Sequence, residues 1–338
     1  MLIFYVGELW NGSTCLHRKR ALERLGHEVI GFDISRYKFK YRILRAVEHR
    51  FNFGPYHYLL NAQIVKTIKN LKGIDIFWVD KGRWIFPSLL VYIKKKFKRI
   101  KLIHYTPDYL LTSQRSRYFV KSIPIYDLCV TTKSAEVEIY KQLGGRDVMF
   151  VFSSFCPDVH RPGPPVHNLI SDICFVGHCE PHYINYLRYL KELKALILIR
   201  GDDWLSKKKL FNNNWLIAGS VWEEDYAKVL RSSKISLGFL SRYSKKIPDF
   251  HTSRSVEIPA CGSFLLAERT HEHKVLFEEG KEADFFNEGE ELIDKAKFYL
   301  KNENVRNKIA KAGYEKVYKL GLRNDDVMKK VLDKLIFI

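Results

Sequence analysis

The chain has 338 residues, of which 46% are hydrophobic and 14% aromatic; this exceeds one typical domain, supplies two apolar cores and excludes disorder as the main state. A membrane-crossing helix needs an apolar run of about 18 residues or more, and the longest candidate here, Trp84 to Ile93, is far shorter and runs straight into lysines. The net charge of +19 is uneven, with 28 Lys+Arg against 13 Asp+Glu in residues 1–165 and 29 against 25 in residues 166–338, so the first half suits an anionic partner such as a membrane leaflet, an acidic or phosphorylated acceptor or nucleic acid, beside the plainer reading of a solubility surplus.

Met1 leads directly into the apolar stretch Leu2-Ile3-Phe4-Tyr5-Val6, with no basic leader or small-residue cleavage site. This predicts a first strand and a cytoplasmic protein. Further strand-like runs follow at Glu28 to Phe32, Asp75 to Val79, Lys101 to Tyr105, Asp127 to Thr131 and Val148 to Phe152. Segments of helical period separate them, the pattern of a parallel sheet with crossover helices. The stretch from Pro157 to Pro165 contains four prolines and a glycine and reads as an interdomain linker, because proline removes backbone donors and fixes φ. Strands then resume at Ile173 to Val176, Leu196 to Ile199, Trp215 to Ile217, Ile235 to Phe239 and Phe264 to Ala267, and from Glu288 the chain is helical in character, with breaks expected at Gly313 and Gly321. The predicted domains are 1–165, 166–318 and a C-terminal helix, 319–338, that packs back toward the first domain. Two Rossmann-like halves of this kind bind ligands beyond the carboxyl ends of their strands, in a cleft between them.

Several loops carry candidate chemistry. Gly7 closes the first strand, and Glu8-Leu9-Trp10-Asn11-Gly12-Ser13 leads into a helix with Ser13 as N-cap, either an anion-accepting helix start or an ordinary turn. Gly177-His178-Cys179-Glu180-Pro181 opens the second half in the same way, with Pro181 in the first helical turn. There, the two readings are a backbone and imidazole contact to a donor ligand and a plain turn. Arg200-Gly201-Asp202-Asp203 ends the next strand, but adjacent aspartates are usually solvated, and no protein-held metal is expected. The densest constellation runs from Pro248 to Gly262: Asp249 and Glu257 stand eight apart, Thr252 or Ser253 caps a helix, and Arg254 adds a cation suited to a diphosphate. A carboxylate such as Glu257 can accept two ribose hydroxyls; the bland alternative is a capped helix whose acid faces solvent. His104-Tyr105-Thr106-Pro107-Asp108 follows a strand, so His104 or Asp108 is a candidate to orient or deprotonate an acceptor hydroxyl, while a strand-end histidine and a capping aspartate are the structural alternatives. The six cysteines are scattered without a C-x-x-C pair and read as inert, reduced thiols.

The run Asp249-x7-Glu257, Ile258-Pro259-Ala260-Cys261-Gly262 and Phe264-Leu265-Leu266-Ala267-Glu268-Arg269 resembles the donor-binding segment of CgeB-like (spore-maturation type) glycosyltransferases. The likeness continues in Glu290-Glu291-Leu292, Phe298-Tyr299-Leu300, Arg306 and Ala310-Lys311-Ala312-Gly313-Tyr314. At the start it includes Gly7 to Ser13, His17-Arg18 and Leu25-Gly26-His27-Glu28-Val29. This resemblance implies the α/β GT-B fold, two Rossmann-like parallel-sheet domains facing across a cleft with a helical C-terminal tail. It implies an enzyme that moves a sugar from a UDP-, GDP- or TDP-sugar to an acceptor hydroxyl, with no tightly bound cofactor.

By the same likeness Glu257 matches the acid that holds the ribose, and Asp249 the acid that contacts the donor sugar, one methylene shorter than the family's glutamate. Retention of anomeric configuration and, on the acceptor side, Asp108 are favoured. Donor-binding candidates are then Glu257, Arg254, Ser253, Thr252, Gly177, His178, Arg200 and Gly7, with Trp10 and Asn11 toward the acceptor. The expected acceptor is a glycan or glycolipid of the cell envelope, with the enzyme held peripherally on the inner membrane face by the cationic run Lys94-Lys95-Lys96-Phe97-Lys98-Arg99. The rivals are a transferase acting on modified DNA bases and a non-enzymatic protein binding anionic surfaces or nucleic acid.

Overall fold

A computed structural model describes residues 1–37, 54–113, 115–242 and 247–337. They form two compact units, Met1–Phe152 with Asp325–Ile338, and Ser153–Asn324.

In the first unit the strands are β1 (Leu2–Gly7), β2 (Glu28–Asp33), β3 (Ile76–Asp80), β4 (Lys101–Thr106), β5 (Leu128–Thr131) and β6 (Val148–Phe150), in the order β2-β1-β3-β4-β5-β6 with parallel pairing. Alternation along each strand feeds two cores. Phe4, Val6, Phe77 and Leu102 point to one face. Ile3, Tyr5, Trp78 and Ile103 point to the other. Helices α1 (Thr14–Arg24), α2 (Pro55–Lys69), α3 (Pro87–Lys96), α4 (Arg117–Ser122) and α5 (Val137–Gln142) connect them. Ser13 does cap α1, its side chain accepting from the Cys15 N–H at 3.2 Å. The second face is covered by the last helix, α12 (Asn324–Ile336), through Val327, Met328, Val331, Leu332 and Leu335. Arg24 fixes that helix by a two-pronged pair with Asp325, both bonds 2.7 Å.

The second unit carries β7 (Ser171–Val176), β8 (Ile197–Arg200), β9 (Leu216–Ala218), β10 (Ser233–Gly238), β11 (Leu265–Glu268) and β12 (Asp284–Phe286), again parallel, in the order β12-β11-β10-β7-β8-β9. Its helices are α6 (Pro181–Tyr189), α7 (Glu223–Arg231), α8 (Arg254–Ala260), α9 (His271–Leu276), α10 (Gly289–Lys301) and α11 (Glu303–Lys319). The proline-rich 157–165 stretch lies inside this unit, not ahead of it. Gly313 does not end a helix. It sits inside α11, where a Cβ would come 2.3 Å from the Glu282 carbonyl oxygen, so glycine is needed for the close approach. Gly321, at φ +64°, follows the helix end as anticipated.

In each sheet the strand order reverses at one place, between β1 and β3 in the first and between β7 and β10 in the second. Loops leaving the carboxyl ends diverge there and leave a crevice for ligands. Among the described residues no helix is long and apolar enough to cross a membrane.

Candidate functional site

The second unit gathers most of the donor-side candidates at its reversal point. Gly177 follows β7, and a Cβ there would lie 3.1 Å from Arg254 Nη1 and 2.9 Å from the Phe175 ring, so its lack of a side chain lets the guanidinium lie against the strand end. Arg254 Nη2 donates to the Phe239 carbonyl at 2.7 Å, and its carbon stands 5.5 Å over the Phe175 ring. The result is a cation locked beside Gly177. His178 comes next, half exposed, with Nε2 2.7 Å from Glu180 Oε1.

Glu257 is on α8, buried at 6% exposure, and does not face open solvent. Its Oε2 accepts from the Tyr226 hydroxyl at 3.1 Å, and His160 Nε2 stands 3.9 Å from Oε1. Asp249 is also buried, its N–H donating to the Ser241 carbonyl at 3.1 Å. Between these two acids, His251 anchors the loop: Nε2 accepts from the Ser153 N–H at 2.9 Å while Nδ1–H donates to Glu272. Ser255 accepts from the Thr252 N–H at 3.1 Å and bonds His273 Nε2 at 2.7 Å. The expected cap by Thr252 or Ser253 is absent among the described residues, and Thr252 Oγ1 is buried without a partner. The reason is that Ser253 already has helical φ and ψ, −59° and −34°, rather than the extended backbone of a capping residue. Arg200 ends β8 with Nε on the Gly219 carbonyl at 2.8 Å, and Asp202 accepts from Ser220, so both serve to pin the loop after β9. Among the described residues no group of three or more His, Cys, Asp or Glu side chains stands together as a metal-ligand set.

In the first unit the reversal point is built on Gly7 and Asp80. A Cβ on Gly7 would meet the Tyr5 ring at 3.0 Å and Asp80 Cβ at 3.4 Å. Asp80, fully buried, takes two bonds from Arg18, at 2.6 and 3.0 Å, and another from the Tyr5 hydroxyl. Trp10 and Asn11 are exposed on the following loop. Lys81, at φ +66°, pairs through Nζ with Asp108 Oδ2 at 2.9 Å. Asp108 is itself fixed by its N–H on Thr106 Oγ1 at 3.1 Å. The buried Glu136 carboxylate accepts from the Leu110, Leu111 and Thr112 amides, at 3.2, 2.8 and 2.8 Å, and so holds the loop behind it.

His104 is not part of this cluster. Its side chain lies on the inner face of β4, fully buried, 4.4 Å from the Phe119 ring and 5.3 Å from Tyr126, with Nε2 toward the Lys81 carbonyl at 3.3 Å. Burial lowers its pKa to about 4, so it is a neutral core imidazole at ordinary pH. The cationic run also differs from expectation. Phe97 is buried in the core, Lys94 pairs with Asp127 at 2.7 Å and Lys96 bonds the Lys69 carbonyl, which leaves Lys95, Lys98 and Arg99 exposed.

Four groups escaped sequence reasoning: Glu180, Glu268, Tyr226 and Lys81. Glu268, buried at the end of β11, accepts from the Leu240 N–H at 2.6 Å and from the Arg242 guanidinium, clamping the loop after β10. A signal existed for Lys81, since Asp80-Lys81-Gly82-Arg83 directly follows an apolar run, and Glu180 and Glu268 lie in stretches already singled out in the sequence without a role of their own; for Tyr226 there was none.

Two six-stranded parallel sheets of this order, each with ligand-facing groups at its carboxyl edge, define the GT-B fold of glycosyltransferases. Solved structures agree over essentially the full length. Anabaena HepE in complex with UDP-glucose superposes with TM-score 0.67 at 14% identity, covering 100% of both chains. A glycosyltransferase from Rickettsia africae gives 0.69 at 15% identity, covering 98% of this chain and 97% of the other. An alpha-glucosyltransferase in complex with UDP-glucose and DNA containing an abasic site gives 0.65 at 13%, with full coverage of both. Residues 185–333 match the family model described as glycosyl transferase-like, and the chain shares the GT-B fold of these solved structures. No curated protein matches it.

Proposed function

We propose that the protein is a glycosyltransferase that binds a nucleotide-sugar at the carboxyl edge of its second sheet and transfers the sugar to an acceptor hydroxyl. The observation that carries this reading is the juxtaposition of the Arg254 guanidinium with Gly177 at the strand-order reversal, within one turn of a buried carboxylate, Glu257. A diphosphate needs a fixed cation with room for its oxygens, and a ribose needs a shielded acceptor of two hydroxyl bonds. Arg254 and His178 take the diphosphate, Glu257 the ribose, and Asp249 the donor sugar. Asp108, held by Lys81, orients the acceptor hydroxyl, with Trp10 and Asn11 beside it. His104 has no part in it.

The run Asp249-x7-Glu257 supports the CgeB-like subtype and, with it, retention of configuration without a bound metal. The charge of residues 1–165 supports an anionic acceptor environment, taken here as an envelope glycan or glycolipid at the inner membrane face, with Lys95, Lys98 and Arg99 as the surface contacts. The same charge fits a duplex, and one similar structure is a glucosyltransferase bound to DNA; glycosylation of DNA bases is therefore the second reading. A thermal-shift and hydrolysis screen over UDP-, GDP- and TDP-sugars tests the proposal. Stabilisation by one donor series, lost in Glu257→Ala, is expected. No stabilisation by any of them sinks it. Transfer of label to duplex DNA in preference to glycolipid selects the second reading.

A further inference from the structure

Glu180 is a carboxylate at 0% exposure, and the groups around it that bond it are donors. Oε1 accepts from His178 Nε2 at 2.7 Å, from the Ser241 hydroxyl and, more distantly, from the Tyr183 hydroxyl at 3.4 Å. Oε2 accepts from the Arg242 N–H at 2.9 Å and has His182 Nδ1 3.5 Å away. Burial opposes its ionisation, but the bonds from His178, Ser241 and Arg242 outweigh it and bring the pKa down to about 2. Two otherwise separate parts of the donor-side crevice thus meet on one side chain. One is the His178 ring beside Gly177 and Arg254; the other is the loop after β10, whose Ser241 carbonyl receives the Asp249 N–H.

An acceptor-only partner also decides the imidazole tautomer. His178 must present N–H at Nε2, so in the neutral ring Nδ1 is the acceptor nitrogen, and it donates to an anion only when the ring carries a second proton.

We propose that Glu180 is a positioning residue of the donor site: it holds the His178 ring by its Nε2–H, so that the imidazolium can donate Nδ1–H to the donor diphosphate, and it fixes Ser241, whose carbonyl receives the Asp249 N–H. This rests on the donor reading above. Glutamine is a sharp probe, because its amide keeps the shape of glutamate but turns N–H groups toward partners that are themselves donors.

The experiment combines imidazole 15N NMR, which reports tautomers directly, with UDP titration and donor kinetics. Nucleotide-free wild type is expected to show the Nε2–H form at His178 and to carry protons on both ring nitrogens once UDP binds, and Glu180→Gln to lose that preference, weaken UDP binding about tenfold, the scale of one charge-assisted bond, and raise the donor KM more than it lowers kcat. In a His178→Ala background the Glu180→Gln effect on UDP affinity should shrink, since part of it travels through the ring; a residue that only supports the fold would give an undiminished effect and a normal tautomer. An Nδ1–H tautomer in nucleotide-free wild type, or a neutral ring in its UDP complex, overturns the proposal without need of any variant. UDP affinity and KM unchanged in Glu180→Gln overturn it while the donor reading stands, and wild-type protein that binds no nucleotide overturns both.

Discussion

Replacing His104 with phenylalanine separates a core imidazole from a catalytic one. The ring is fully buried between Phe119 and Tyr126, and burial lowers its pKa from 6.5 to about 4. In the unfolded chain it titrates near 6.5, so the unfolded state binds the extra proton first as pH falls. The stability it safeguards is therefore complete above about pH 6.5 and is lost progressively down to about pH 4. At pH 5 the difference in protonation corresponds to a factor of about 30, or about 2 kcal/mol, rising to about 3 kcal/mol below pH 4. Against a total of about 5–15 kcal/mol for a domain, that is a measurable fraction. Phenylalanine keeps a planar ring among aromatic neighbours but takes up no proton. It leaves the Lys81 carbonyl without its 3.3 Å partner, a penalty that does not vary with pH. Urea denaturation followed at pH 7.5 and pH 5 should show wild type losing about 2 kcal/mol more than His104→Phe between the two, with turnover at pH 7.5 retained by the variant. Parallel losses in the two proteins, or abolished turnover in a folded variant, would refute the assignment.

Glu257→Ala should weaken binding of the nucleotide donor by about 2–3 kcal/mol in calorimetry, the scale of charge-assisted bonds to hydroxyls in a shielded site, and Tyr226→Phe, which removes only the 3.1 Å bond to Oε2, should weaken it less. Equal affinities in wild type and Glu257→Ala would remove the carboxylate from the donor site. Asp249→Asn and Asp108→Asn are each expected to depress kcat more than donor affinity, as for groups engaged chiefly in the transition state; wild-type turnover in both would show that neither is catalytic. Exchanging Lys95, Lys98 and Arg99 for glutamine should reduce salt-sensitive sedimentation with anionic liposomes while leaving donor binding intact, at roughly 1 kcal/mol per residue. Identical sedimentation of variant and wild type would reject the membrane contact.

Strands were readable where apolar, β-branched and aromatic residues cluster in a short run between polar, helical-period segments. β12 was not, because Asp284-Phe285-Phe286 offers only two apolar residues in a row after Asp284 and follows the charged stretch Glu278 to Glu282. Segment 249–262 stood out because acids, a cation and helix-start residues crowd together in sequence. What chain order could not convey was the partner of each group. Glu180 draws its meaning from Ser241 and Arg242, about sixty residues later, and Glu257 from Tyr226 on another helix. Of the two readings of His104, a residue facing the cleft and a structural strand histidine, the second holds: the period of two puts it on the same face as Leu102, inside the core. Phe97, embedded among lysines in the sequence, packs into the apolar core of the first unit.

The first sheet and the final helix belong to one unit, and the residues between them form a complete unit whose two ends meet. Phe155 bridges to Arg323, its N–H bonds the Leu322 carbonyl at 3.0 Å, and the Asn324 N–H returns to the Phe155 carbonyl at 2.8 Å. Topologically the second unit is an insertion into the first. On a ribosome adding about 5–20 residues per second, the face made by Ile3, Tyr5, Trp78 and Ile103 waits roughly 10–30 s after its own strands have emerged before Val327, Met328 and Val331 arrive to cover it. The inserted unit, by contrast, is finished as soon as it is translated. Residues 153–324 can accordingly be produced as a single continuous piece, while the first unit requires its two segments to be joined. For the nascent chain, this means that the earliest part made is the last part protected.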